Sequence, residues 1–180
     1  YLEYSNPTMT RLSILENTAD SGFGIYFQFC DSPILTDFII ANNWGDSYFG
    51  SYIVMYYSHP ILNYGTIKGN TGSSSVFGMI TSDPIFSNLE IVEHAECIVF
   101  TMHSSDPLIS NLTITGNKKT LTTSGISHPV VVNTIVRNNV PGDVSGYWQE
   151  FYIGGPNQGQ PASSLTISFS DIEGGEGAIY

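Results

Sequence analysis

A proline returns along this chain at nearly constant spacing, and the residues behind it return with it. Pro7, Pro33, Pro60, Pro84, Pro107 and Pro129 stand 26, 27, 24, 23 and 22 residues apart. Two positions after each come Met9, Leu35, Leu62, Phe86, Ile109 and Val131, and seven positions after come Ile14, Ile40, Ile67, Ile91, Ile114 and Val136. Ten positions after come Asn17, Asn43, Asn70, His94, Asn117 and Asn139. Three columns in one register, at a period in this range, are the mark of a solenoid, whose repeats bury their apolar faces only against their neighbours.

Each repeat holds two extended runs. In the proline-led run, positions two, five and seven are mostly apolar and positions three and six mostly polar, which is strand alternation with one buried face. Asn, Gly and Ser mark the bends. The second run carries segments such as Tyr52-Ile53-Val54-Met55 and Ile98-Val99-Phe100, and no segment shows a helical stripe. Strands this short satisfy their backbones only by pairing with the coils above and below, so the expectation is an all-β chain of parallel sheets wound into a filled tube. The column of Asn17, Asn43, Asn70, Asn117 and Asn139 is expected to form a side-chain ladder, since identical amides one strand spacing apart can pair. His94 is expected to interrupt it while still offering a hydrogen bond.

The spacing is lost over 141–164, which reads as an irregular insertion in an otherwise single domain of residues 1–180. A run beginning at Leu165 then opens a further coil, for about seven in all. Neither end looks capped, which fits either a segment of a longer chain or a unit that self-associates through its ends. Cys30 and Cys97 fall in the first and fourth coils, about 14 Å apart along the axis at strand spacing. A disulfide needs Cα atoms within about 7 Å, so two free buried thiols are expected.

Five basic residues against sixteen acidic ones give a formal charge of −11. Such a surface repels phosphate backbones and argues against a nucleic-acid partner. No run of about eighteen apolar residues exists, so membrane insertion by a helix is not expected.

With the columns in place, the chain resembles the right-handed parallel β-helix repeat proteins of the pectate-lyase-like group, in their secreted or surface-displayed bacterial form. The resemblance rests on Ser32-Pro33-Ile34-Leu35, on Asp106-Pro107-Leu108-Ile109-Ser110-Asn111-Leu112-Thr113-Ile114-Thr115-Gly116-Asn117, and on Ser170-Asp171-Ile172-Glu173-Gly174-Gly175. It implies a right-handed parallel β-helix, export to the cell surface or beyond, and a long parent protein. The same repeat serves lyases, hydrolases, adhesins and spacers, so it does not fix an activity.

Enzymes of the group cleave polysaccharides on an outer face, and the resemblance asks for a base and for calcium-holding acids there. The only bases are Arg11, Lys68, Lys118, Lys119 and Arg137. Lys68 and Arg137 share an outward column but sit three coils apart, about 14 Å, too far to act on one sugar. Asp83 and Asp106 each precede a proline in consecutive coils, near 5 Å apart at strand spacing. That is the distance of a retaining carboxylate pair or of two calcium ligands. An aspartate there also makes local turn bonds. Ser124 and Ser127 lie near His128 in sequence, without an orienting third group. Aromatic residues crowd the second and sixth coils, and Trp44, Tyr48, Tyr52, Tyr56 and Trp148 are the candidates for platforms under a neutral glycan. Asn111-Leu112-Thr113 fits a glycosylation sequon between two strand pieces. The residues thus point first to a non-catalytic structural or adhesive segment, with no cofactor beyond a calcium ion and a glycan or neighbouring surface protein as partner. The alternative is a carbohydrate-active β-helix, lyase or hydrolase, or a glycan-binding module.

Overall fold

In a computed structural model, residues 1–19, 24–94, 96–139, 150–155 and 161–179 are described, with the side chains of 46–50 and 73–74 left aside. All strand pairing among them is parallel and runs from coil to coil, giving an eleven-stranded and an eight-stranded sheet. The chain is a parallel β-solenoid of about five complete turns. About seven coils were expected from the prolines. The difference lies at the ends, where Thr8–Thr10 and Thr166–Ser168 are paired on one side only. The only helix among the described residues is a 3-10 turn, Gly175–Ala178.

The proline register is the structural register. Ile14, Ile40, Ile67, Ile91, Ile114 and Val136 are successive partners in the larger sheet, and so are Met9, Leu35, Leu62, Phe86, Ile109 and Val131. From Leu35 and Ile40 onward both columns are buried inside the tube. The facing interior column comes from the smaller sheet, where Ile25, Ile53, Phe77, Phe100, Leu121 and Phe151 follow one another. Phe77 and Phe100 stack with centroids 5.1 Å apart, and Phe86 of the opposite sheet meets both. Volume is traded between neighbours: a Cβ on Gly65 would lie 2.3 Å from the Phe38 ring, because Phe38 fills the space that its successor leaves.

Each coil turns three corners, and one residue at each corner takes a left-handed backbone conformation. Arg11, Asp37, Tyr64, Asn88, Asn111 and Asn133 hold the corner four positions after the proline, with φ of 49° to 57°. Glu16, Asn42, Gly69, Glu93, Gly116 and Asn138 hold the corner at position nine, and Tyr4, Phe29, Tyr57, Thr81, Ser104 and Gly125 the third. For non-glycine residues this conformation costs about 1–2 kcal/mol each. The corner N–H groups offset it by continuing the ladder, as Tyr57 N does to Ile80 O at 3.0 Å and Asn42 N to Lys68 O at 3.0 Å. Chain direction therefore changes without a break in coil-to-coil hydrogen bonding.

Two polar columns run inside the tube. Asn17 donates its backbone N–H and its Nδ2 to Asn43 Oδ1, both at 3.0 Å, and Asn43 repeats this to Asn70 Oδ1 at 2.9 and 2.8 Å. Asn117 does the same to Asn139. The second column is serine: Cys30 N donates to Ser58 Oγ, Ser58 N to Ser82 Oγ, Ser82 N to Ser105 Oγ, Ser105 N to Ser127 Oγ and Ser127 N to Ser163 Oγ, at 3.0 to 3.2 Å. Cys30 occupies the first rung of that column with its Sγ on Gln28 O, and both it and Cys97 are buried free thiols. Of the irregular stretch 141–164, residues 141–149 and 156–160 lie outside the described set, while Phe151–Tyr152 pairs with Leu121 and Thr122.

Candidate functional site

The outer faces of the tube differ in chemistry. Positions one and three after the proline, or after Leu165 in its place on the last rung, point outward on seven rungs: Thr8 and Thr10, Ile34 and Thr36, Ile61 and Asn63, Ile85 and Ser87, Leu108 and Ser110, Val130 and Val132, Thr166 and Ser168. None of the fourteen is charged. One column is aliphatic or threonine, the other almost wholly hydroxyl or amide, and the strip runs about 29 Å at strand spacing. Strand alternation from a fixed proline puts these residues outside. On the neighbouring facet, charges appear and are paired: Lys68 Nζ lies 3.5 Å from Glu93, and Arg137 makes a bidentate contact to Asp171 at 2.7 to 2.9 Å. The two bases weighed for a lyase are thus each held by a carboxylate.

Asp83 and Asp106 stand in one exposed column with His59 and His128. Asp83 Oδ1 accepts Asp106 N at 2.8 Å, and Asp106 Oδ1 accepts His128 N at 2.6 Å. His59 Nδ1 accepts Asp83 N at 3.1 Å, and Asn6 Oδ1 accepts Ser32 N at 2.9 Å. The column is a chain of side-chain acceptors, each holding an N–H of the next coil, so the aspartates bond from coil to coil and not within a local turn as expected. Among the described residues no group of three or more His, Cys, Asp or Glu converges in a way that could hold a metal.

The ring platform expected from sequence is dispersed. Tyr52 is fully buried, with its hydroxyl donating to Thr71 O at 2.6 Å and Asn43 O at 3.2 Å, and burial pushes its phenol well above the ordinary value. It therefore offers no ring to a surface ligand. Trp44 is exposed and Tyr56 half-buried, but they stand at opposite ends of the thirteen-residue strand Trp44–Tyr56. The Tyr48 side chain and all of Trp148 lie outside the described set. Rings gather instead at the third corner. Tyr4 stacks on Phe29 with centroids 5.1 Å apart, Phe29 on Tyr57 at 5.7 Å, and Tyr56 meets Tyr57 edge-on at 4.7 Å.

Beyond these rings, the smaller sheet carries an open hollow of about 390 Å³. Its floor is low because a Cβ on Gly78 would lie 2.4 Å from Ser51 Oγ. Ser51, Ser75 and Thr101 share hydroxyl contacts of 2.6 and 2.9 Å, and His103 Nδ1 lies 3.2 Å from Ser124 Oγ. A second groove, of about 620 Å³, follows the first corner past Asp37, Tyr64, Asn88, Glu90 and Asn111. Its carboxylates Asp37 and Glu90 belong to coils two apart, about 10 Å along the axis, wider than a retaining carboxylate pair. His128, paired in sequence with Ser124 and Ser127, instead contacts Ser164 Oγ at 2.8 Å.

His94 and Glu150 are titratable groups buried in or beside the amide column. His94 is fully enclosed, and burial lowers it below the ordinary 6.5, against the upward pull of the Asn70 and Ile67 carbonyls. Glu150 accepts from Thr120 Oγ1 at 2.8 Å and from Asn139 Nδ2 at 3.3 Å, and burial raises it above the ordinary 4.5. Sequence reading missed Glu150, the serine column and the Tyr4–Phe29–Tyr57 stack. The serines did carry a signal: Ser58, Ser82, Ser105 and Ser127 each stand two positions before a proline. No protein-family model, no curated protein and no solved structure matches this chain.

Proposed function

We propose that the chain is a stiff, non-catalytic structural or adhesive element of an exported bacterial surface or filament protein, working through the uncharged strip on its proline-led facet. The observation that carries this reading is the strip: fourteen outward side chains without a charge, on a molecule of net charge −11. Such a face can approach a neighbouring surface with little electrostatic desolvation cost, whereas charged side chains would have to be stripped of water. The three corners and two interior columns hold it straight, so contact is made without the entropy of ordering a loop.

The test places a charge in the middle of the strip. Ile85→Lys and Leu108→Lys together, in the full parent protein, should leave folding unchanged and abolish adhesion or assembly at the cell surface. Fractionation that finds the parent inside the cell, or turnover on a polysaccharide panel by the purified chain, overturns the reading.

A second reading, glycan binding, is favoured by the stacked corner rings Tyr4, Phe29 and Tyr57 beside the hydroxyl-floored hollow. Exposed rings of this kind pack against sugar faces. Binding on a glycan array that disappears in Tyr57→Ala supports it, and a silent array rejects it. A calcium role for Asp83 and Asp106 is tested by calorimetric titration of the ion against the Asp83→Asn variant.

A further inference from the structure

His94 stands where the other five proline-led repeats place asparagine, and its imidazole takes over two of the asparagine's bonds. Asn70 N donates to His94 Nδ1 at 3.1 Å, as Asn43 N donates to Asn70 Oδ1. Nε2 lies 3.2 Å from Ile67 O, matching the Nδ2 of Asn43, Asn70 and Asn117 on Ile14, Ile40 and Ile91 carbonyls at 3.0 Å. His94 N then donates to Asn117 Oδ1, so the column passes through the ring. Both bonds are satisfied by one species only, the neutral ring protonated at Nε2.

Nδ1 also lies 3.1 Å from Asn70 O. A proton added at Nδ1 therefore finds a carbonyl to bond, and in doing so displaces the Asn70 N–H, which is buried and donates to that nitrogen. No amide rung has this second state, because an amide oxygen does not take up a proton in this range. We propose that His94 is a proton-operated joint between the third and fourth coils: neutral, it clamps them through Asn70 N–H, and protonated, it releases that N–H.

Burial outweighs the backbone carbonyls and Glu93, which favour the cation. Glu93 at the corner is paired with Lys68, Glu90 and Glu96 are exposed, and the ring's own hydrogen bonds reach only Asn70 and Ile67. Nearby stand the buried phenol of Tyr52 from the second coil, the buried thiol of Cys97 on the same coil, and Lys118 and Lys119 on the fifth.

The sign follows from where the proton binds. The unfolded or opened chain takes it up below pH 6.5, whereas the closed joint resists it until a lower pH. Stability of the joint is therefore intact above pH 6.5 and is lost as pH falls through the window beneath it, by up to tenfold in the opening equilibrium per pH unit.

Hydrogen exchange of the full chain between pH 7.5 and 5 tests this. The Asn70 amide should lose protection by up to tenfold per pH unit, ahead of the amides of Asn43 and of the serine column, and His94→Asn should remove that loss. If His94→Asn fails to fold, nitrogen-15 shifts of the wild-type ring decide: they should show the Nε2–H form at pH 7.5 and the imidazolium in step with the exposure of Asn70. An unchanged acid limb in His94→Asn, simultaneous loss at all amides, or a ring that stays neutral while Asn70 opens would each overturn the joint.

Discussion

The asparagine and serine columns run through the same tube and obey different rules. An asparagine oxygen receives both the backbone N–H and the Nδ2 of the preceding coil's asparagine, while the Nδ2 of Asn43 reaches a carbonyl on the coil before it and the amide oxygen on the coil after it, so that amide links three coils. A serine oxygen receives one N–H from the preceding coil, and its proton goes back to its own strand, as Ser82 Oγ does to Ile80 O at 2.9 Å. The amide column is thus a chain of side chains in mutual contact. The serine column is a row of separate staples. Removing one member should do different damage in each.

The largest effect is expected from Asn70→Ala. It leaves the buried N–H of Asn43 and one of its two Nδ2 protons without acceptors, the other staying on Ile14 O, at about 1–3 kcal/mol per group, and chemical denaturation should show a loss of roughly 3–4 kcal/mol. Ser82→Ala orphans only Ser58 N–H and should cost about 1–2 kcal/mol in the same assay. Equal losses from the two variants would erase the distinction between chain and staples. Glu150, at the end of the amide column, sharpens it through pH. Its folded value is raised, so the stability it lends is complete below pH 4.5 and lost as pH rises through the folded value. Glu150→Gln should accordingly melt above wild type at pH 8 and no higher than wild type at pH 4. The smallest change is Cys30→Ser, which puts the column's usual residue at its first rung and should shift stability by less than about 1 kcal/mol.

The larger sheet was readable from the prolines because each proline sits at a fixed distance from its corners. The columns at positions two, seven and ten therefore kept phase, and Ile67, Ile91 and Ile114 are direct partners. The smaller sheet was not readable in the same way. The strand Trp44–Tyr56 slips register twice against Thr71–Ile80, between Trp44 and Ser47 and again between Ser47 and Ser51. Past the second slip, Ser51, Tyr52 and Ile53 are all buried in succession, which strict alternation forbids and an irregular strand permits. Tyr52 was expected outside for that reason, and the ring cluster formed at a corner, where left-handed residues point outward irrespective of strand phase. His94 was legible as the odd member of its column. Its two-state bonding was not, since it depends on Nδ1 lying equally near a donor and an acceptor.

The serine column joins Cys30 to Ser58 across 28 residues, Ser105 to Ser127 across 22 and Ser127 to Ser163 across 36, with bonds of 3.0, 3.1 and 3.2 Å. Contour length between rungs is therefore a free variable, bounded only by the slow logarithmic rise of closure entropy. A lineage carrying such a scaffold can graft new sequence between one staple and the next, coil by coil, without renegotiating the fold.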